Sequence, residues 1–183
     1  MAGWYKLQRE KSDDANLKTV LAEIRVAQRK YAEAAQGYRE AVDMVKVSQP
    51  PNAARLKNNL AYVLALTGDK ANLAEAAKAI DEAIRWLGPQ SDLLDTRGMV
   101  ALMSGDYAKA EVDFQEAVLS PSAAKWFRLA CARMKLGKKD EAKLAYLKAR
   151  DLQFDPRDLS PIEQPLLKEL LTSIDADAVA DRN

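Results

Sequence analysis

The stretch GDYAKAEVDFQEAVLSP, residues 105–121, decides the fold. It opens on the turn pair Gly105-Asp106 and then sets Ala110, Phe114 and Ala117 at spacings of four and three. An i, i+4, i+7 pattern marks one face of an α-helix. The two alanines let a neighbouring helix come close, and the aromatic ring fills the gap between the pair. The same phrase recurs as Ala34-Tyr38-Ala41, Ala76-Ile80-Ala83 and Ala142-Tyr146-Ala149. Upstream of each copy lies a second phrase: Lys18-x2-Leu21-Ala22, Lys57-x2-Leu60-Ala61, Leu94-x2-Arg97-Gly98 and Trp126-x2-Leu129-Ala130. Between the phrases the chain turns at Gly68-Asp69, Gly105-Asp106 and Gly137. The first copy has Arg29-Lys30-Tyr31 there, without a glycine.

Each unit therefore reads as a helix, a short turn and an antiparallel helix. One such pair cannot bury its apolar face alone and must stack on its neighbours. The pattern resembles the tetratricopeptide repeat, a helix-turn-helix unit of ~34 residues with a W-x2-L-G-x2-Y…A-x3-F…P signature. Gly105-Asp106-Tyr107, Ala110, Phe114, Ala117 and Pro121 match it best, and Trp126-x2-Leu129-Ala130 follows closely. The resemblance implies an all-α fold, a right-handed α-solenoid of antiparallel helix pairs with a C-terminal capping helix. The pairs are expected at 14–48, 52–88, 91–121 and 122–154.

Successive copies of the first alanine are 42, 34 and 32 residues apart. The excess in the first interval is assigned to Ser48-Gln49-Pro50-Pro51 and to a loop at Lys70-Ala71-Asn72-Leu73. Ser160-Pro161-Ile162-Glu163 is a capping box that opens the capping helix, 160–174, although Pro165 delays its regular part to about Gln164. Residues 175–183 are expected to fray. At the other end Ser12-Asp13-Asp14 is expected to cap the first helix. Trp4 to Arg9 is then either the remnant of a preceding helix or an N-terminal cap.

Composition narrows the chemistry. The chain has 183 residues, no histidine and one cysteine. Without histidine there is no Ser-His-Asp triad, no imidazole base and no HExxH or zinc-finger site. One cysteine excludes an internal disulfide. No inward-facing carboxylate pair is evident, and Gly68-Asp69 and Gly105-Asp106 are turns rather than phosphate cradles. The expectation is therefore a protein that is not an enzyme and takes no cofactor and no metal. With 28 basic against 27 acidic side chains it carries no general excess for nucleic acid. No apolar run approaches the ~20 residues of a membrane span, and Met1 to Lys6 lack the core of a signal peptide. The chain is expected to be cytoplasmic or a segment of a larger protein.

Arrays resembling this one hold a peptide of a partner against their first helices. The candidate lining is Val20, Glu23 and Ala27, then Asn58, Asn59, Tyr62 and Leu66, then Asp95, Thr96, Met99 and Met103, then Phe127, Arg128, Cys131, Met134 and Lys135. Its principal residues are Asn58, Asn59, Tyr62, Asp95, Met99, Phe127, Arg128 and Lys135. Aromatic and Met side chains supply contact area and adaptable packing. Met99, Met103, Phe127 and Cys131 fit ordinary inter-helix core equally well, and the neighbours of Cys131 favour a packed thiol over a reactive one. A subset of such arrays clamps the carboxylate tails of chaperones with Lys, Asn and Arg. Only Asn59 matches that pattern, so chaperone-tail binding is not expected.

Local charge is uneven: +3 over residues 1–90, −4 over 91–124, +7 over 125–150 and −5 over 151–183. Arg128 and Lys135, seven apart, share one helical face. That face either attracts an acidic ligand or is a solvated surface balanced by internal pairs, Asp95 to Arg128 among them. The function read from these residues is a protein-interaction scaffold with a protein or peptide partner, acidic ones included. Neither nucleic acid nor membrane is expected as a partner. The alternative is a structural module that self-associates through apolar end faces, as a monomer or weak homodimer in solution.

Overall fold

The structure, a computed structural model, describes the backbone of residues 2–45 and 50–180 and the side chains of 14–45 and 51–174. Among these residues the chain is all-α, and consecutive helices pack in adjacent antiparallel pairs. Two compact units divide between Pro89 and Gln90.

The first unit contains α1 (Ala2–Ala27), α2 (Tyr31–Val45), α3 (Pro50–Thr67) and α4 (Lys70–Leu87). Ala34, Tyr38 and Ala41 of α2 and Ala76, Ile80 and Ala83 of α4 are buried, as the repeated phrase requires. The second unit contains α5 (Ser91–Ser104), α6 (Tyr107–Ala117), α7 (Ala123–Lys135), α8 (Lys139–Asp151) and α9 (Gln164–Ala180), with a 3-10 turn at Pro156–Asp158. Here Ala110, Phe114 and Ala117 of α6 are fully buried. Gly98 of α5 leaves room for the Phe114 ring; a Cβ at that position would lie 2.7 Å from Phe114 Cε1.

Three of the helix reversals share one backbone device. At Gly105 (φ 83°) and Gly137 (φ 75°) the chain enters the left-handed region, and the next N–H reaches back five residues. Asp106 N–H donates to the Ala101 carbonyl at 2.9 Å, and Lys138 N–H to that of Arg133 at 2.9 Å. This bond satisfies a carbonyl that the ending helix leaves open. Arg29 (φ 60°) does the same without being glycine, and Lys30 N–H meets the Arg25 carbonyl at 2.8 Å.

Four expectations change. Helix α1 starts at Ala2 and runs unbroken through Ser12-Asp13-Asp14, so no helix begins there. No Gly or Pro interrupts residues 4–27, and Ser and Asp inside a helix cost only a few tenths of a kcal/mol each. The side chains of Trp4 to Arg9 lie outside the described residues. Lys70 to Leu73 form the first turn of α4 rather than a loop. Asp69 accepts from Ala71 N–H at 2.7 Å, and Leu73 is buried, so a cap and an apolar anchor make helix the better state there. Of the other proposed insertion, Ser48 and Gln49 lie outside the described residues, and Pro50 opens α3. Last, α9 continues past residue 174 to Ala180, with only 181–183 beyond the described residues.

Candidate functional site

In the first unit the candidate residues sit on α3 with one neighbour from α2. Asn59 hydrogen-bonds the hydroxyl of Tyr38, whose pKa burial pushes up to about 12. Asn58 Nδ2 donates to Asn59 Oδ1 at 3.4 Å, while Asn58 Oδ1 is buried with no hydrogen-bond partner among the described residues. Asn58, Asn59 and Tyr62 are each partly exposed. Leu66 is buried in the core. Val20, Glu23 and Ala27 of α1 are exposed. The unit thus presents Val20, Glu23 and Ala27 on α1 and Asn59 and Tyr62 on α3.

The second unit treats its candidates differently. Met99 and Phe127 are fully buried, with 0% exposure, so both leave the groove and belong to the interior. Phe127 stacks on Phe154 with ring centroids 4.9 Å apart, and Phe154 meets the Tyr146 ring edge-on at 5.9 Å. Thr96 and Cys131 are buried as well. An unbranched Met or an aromatic ring at a helical apolar position fills core as readily as it lines a groove. Periodicity alone does not separate the two.

Arg128 is buried between two carboxylates. Its Nη1 donates to Asp95 Oδ2 at 2.5 Å and its Nε to Glu163 Oε1 at 2.9 Å. Glu163 lies in the turn before α9, and its other oxygen accepts from Ser160 N–H at 3.1 Å and from Ser160 Oγ at 2.6 Å. The residues read as a capping box therefore do join, and they hold a carboxylate against α7. Lys135 pairs with Glu169 of α9. Arg128 and Lys135, expected to attract an acidic ligand, are thus met by two acidic side chains of the chain's own C-terminal segment.

Three further charges of the basic stretch are also answered within the unit. Lys125 pairs with Asp92 at 2.7 Å, Arg133 with Glu111 at 3.3 Å and Lys138 with Glu111 at 2.6 Å. Burial raises the Asp95 carboxyl above its ordinary pKa against the pull of Arg128 and Lys125, and Glu163 adds to the rise. The Cys131 thiol is pushed well up, first by burial and then by Glu163. This is the setting of an inert thiol. The signal for α9's position was present in the adjoining +7 and −5 segments, which are complementary neighbours in the chain.

Sequence reasoning placed Val20, Glu23 and Ala27 of α1 in the groove lining. The face that carries Val20 also exposes Leu17, Leu21 and Ile24. Beside it, Lys18 pairs with Glu40 at 2.5 Å and Arg25 with Glu33 at 3.2 Å, both across to α2.

Residues 126–156 match the family model described as tetratricopeptide repeat. No curated protein sequence matches the chain. Among the solved structures that match is one titled "Crystal structure of MamA protein", at 15% identity and a TM-score of 0.44. That match covers 77% of this chain and 92% of the other. The matched segment falls on α7 and α8, and the helix-turn-helix phrase of that segment is built in both units.

Proposed function

We propose that the chain is a non-catalytic scaffold that holds a peptide segment of a partner protein on the first-helix face of its first unit. Tetratricopeptide repeats are protein-interaction modules, and no helix among the described residues is long and apolar enough to cross a membrane. One observation carries the choice of face. On the first unit Glu23, Ala27, Asn59 and Tyr62 remain at least partly open, whereas on the second Glu163, in the turn before α9, answers Arg128 and Glu169 of α9 answers Lys135. Asn59 and Tyr62 supply the amide and hydroxyl groups that orient a peptide backbone, and the Tyr62 ring supplies apolar area.

A photo-crosslinking amino acid at Tyr62, compared with one at the exposed Val112 of α6, tests this reading. A discrete partner captured from position 62 and not from 112 is the expected result. Equal capture at both positions, or none at 62, overturns it.

A further inference from the structure

Four apolar side chains of α1 stand in solvent: Leu17 is 59% exposed, Val20 51%, Leu21 48% and Ile24 46%. Their spacing of three, one and three makes a single stripe along the helix. The next first helix, α3, carries the same phrase 39 residues later, so Leu56, Leu60 and Val63 stand in register with Leu17, Leu21 and Ile24. Those three are exposed by only 4%, 5% and 1%. Helix α3 has α2 on one side and α4 on the other, while α1 has α2 alone as its large neighbour. The α1 stripe is thus built like a face that a further helix covers, and among the described residues nothing covers it.

We propose that a second copy of this chain covers it, α1 against α1 and antiparallel, about a two-fold axis between Val20 and Leu21. A two-fold contact requires a patch complementary to itself. The 17, 20, 21, 24 spacing reads the same from both ends. The axis therefore sets Leu17 beside Ile24 of the partner subunit, Val20 beside Val20 of the partner subunit and Leu21 beside Leu21 of the partner subunit, apolar on apolar throughout.

The flanking charges favour the same direction. Asp14 and Arg25 are eleven residues apart, which places them about 20° apart around the helix, on one flank of the stripe. The axis carries Asp14 to within about 3 Å, along the helix, of the level of Arg25 of the partner subunit. Two such pairs form, one at each end, while Lys18, on the same flank and about as near the level of Arg25 of the partner subunit, is neutralised by Glu40 of its own chain. A parallel arrangement would instead set Asp14 against Asp14 and Arg25 against Arg25. Arg25 already meets Glu33 through Nε and Gln28 through Nη1, which uses two of the five N–H donors of a guanidinium. This inference goes beyond the partner-binding reading and does not depend on it.

Cross-linking of the full chain tests the geometry. Cys131 is fully buried and does not compete. Under mild oxidation Leu21→Cys is expected to give a disulfide-linked dimer. Leu17→Cys alone is expected to give none, because its two copies lie about 10 Å apart along the helix. An equimolar mixture of Leu17→Cys and Ile24→Cys is expected to give the mixed dimer. Sedimentation of the unmodified chain from about 1 to about 200 micromolar should show a reversible rise towards twice the monomer mass, lost in Leu21→Asp. Self-linking of Leu17→Cys as strong as the mixed product overturns the antiparallel contact. A monomer throughout the range overturns the dimer itself, whatever position 62 captures.

Discussion

Arg128 Nε donates to Glu163 Oε1 at 2.9 Å, with both side chains almost wholly out of solvent. The bond joins α7 to the turn that starts α9, and Asp95 approaches the same guanidinium from α5. Breaking such a pair leaves a buried charge without its full complement, which costs about 3–5 kcal/mol for a well-enclosed pair. Glu163→Ala should cost less than that, about 2 kcal/mol, because Asp95 still answers Arg128. Arg128→Ala should cost more, since it strands two carboxylates. Urea unfolding of the two variants checks the order, and equal losses would contradict it.

Asp95 gives the second unit an unusual pH response. Its pKa is raised in the folded chain, chiefly by burial. An acid with a raised folded pKa costs no stability while both states are protonated. Stability then falls as pH rises from the unfolded pKa through the folded one. Asp95→Asn should therefore stabilise the chain at neutral pH, and the gain should vanish in acid, near and below the ordinary aspartate pKa of ~4. The quantity to plot is the difference in unfolding free energy between variant and native chain from pH 3 to pH 8. A difference that grows in acid would refute the assignment.

Cys131 is a reporter of the seat of α9. The thiol is buried, and its pKa is pushed well up. Native-state labelling should be slow and should accelerate in Glu163→Ala by about tenfold or more, as opening becomes easier. Stopped labelling with a coloured disulfide reagent measures it. An unchanged rate would mean that the thiol is reached without disturbing α9.

Gly98 and Phe114 make the tightest packing test. Gly98→Ala forces its methyl into the buried Phe114 ring and should destabilise by about 1–3 kcal/mol. Phe114→Leu carries its own cost but frees space, so the double variant should be more stable than the sum of the two losses predicts. A thermal-melt cycle gives the coupling, and strict additivity would count against the contact.

The helix pairs were legible because a close helix contact needs small residues at fixed spacing. Ala34, Ala76, Ala110 and Ala142 announce that contact whatever surrounds them. The interior of α1 was less so: Ser12-Asp13-Asp14 has the composition of a cap, but a cap also needs a chain that stops being helical before it. The candidate site was legible only in part. Asn59 and Tyr62 keep exposure, whereas Met99 and Phe127 sit at positions where groove and core share one periodicity. The pairing of Arg128 with Glu163 spans 35 residues and depends on where α9 returns, which local spacing does not encode.

The reversal at Arg29 has a consequence for how such chains diverge. It makes the same five-residue backbone bond as Gly105 and Gly137, with a side chain where they have none. The turn therefore survives at the cost of ~1–2 kcal/mol for a left-handed non-glycine residue. A duplicated unit can drift away from its signature letters while its chain still doubles back at the same point. The family model recognises residues 126–156, yet α1 and α2 close the same turn without a glycine. In this molecule the shared reversal is written more consistently in where a carbonyl finds its N–H than in the residue names around it.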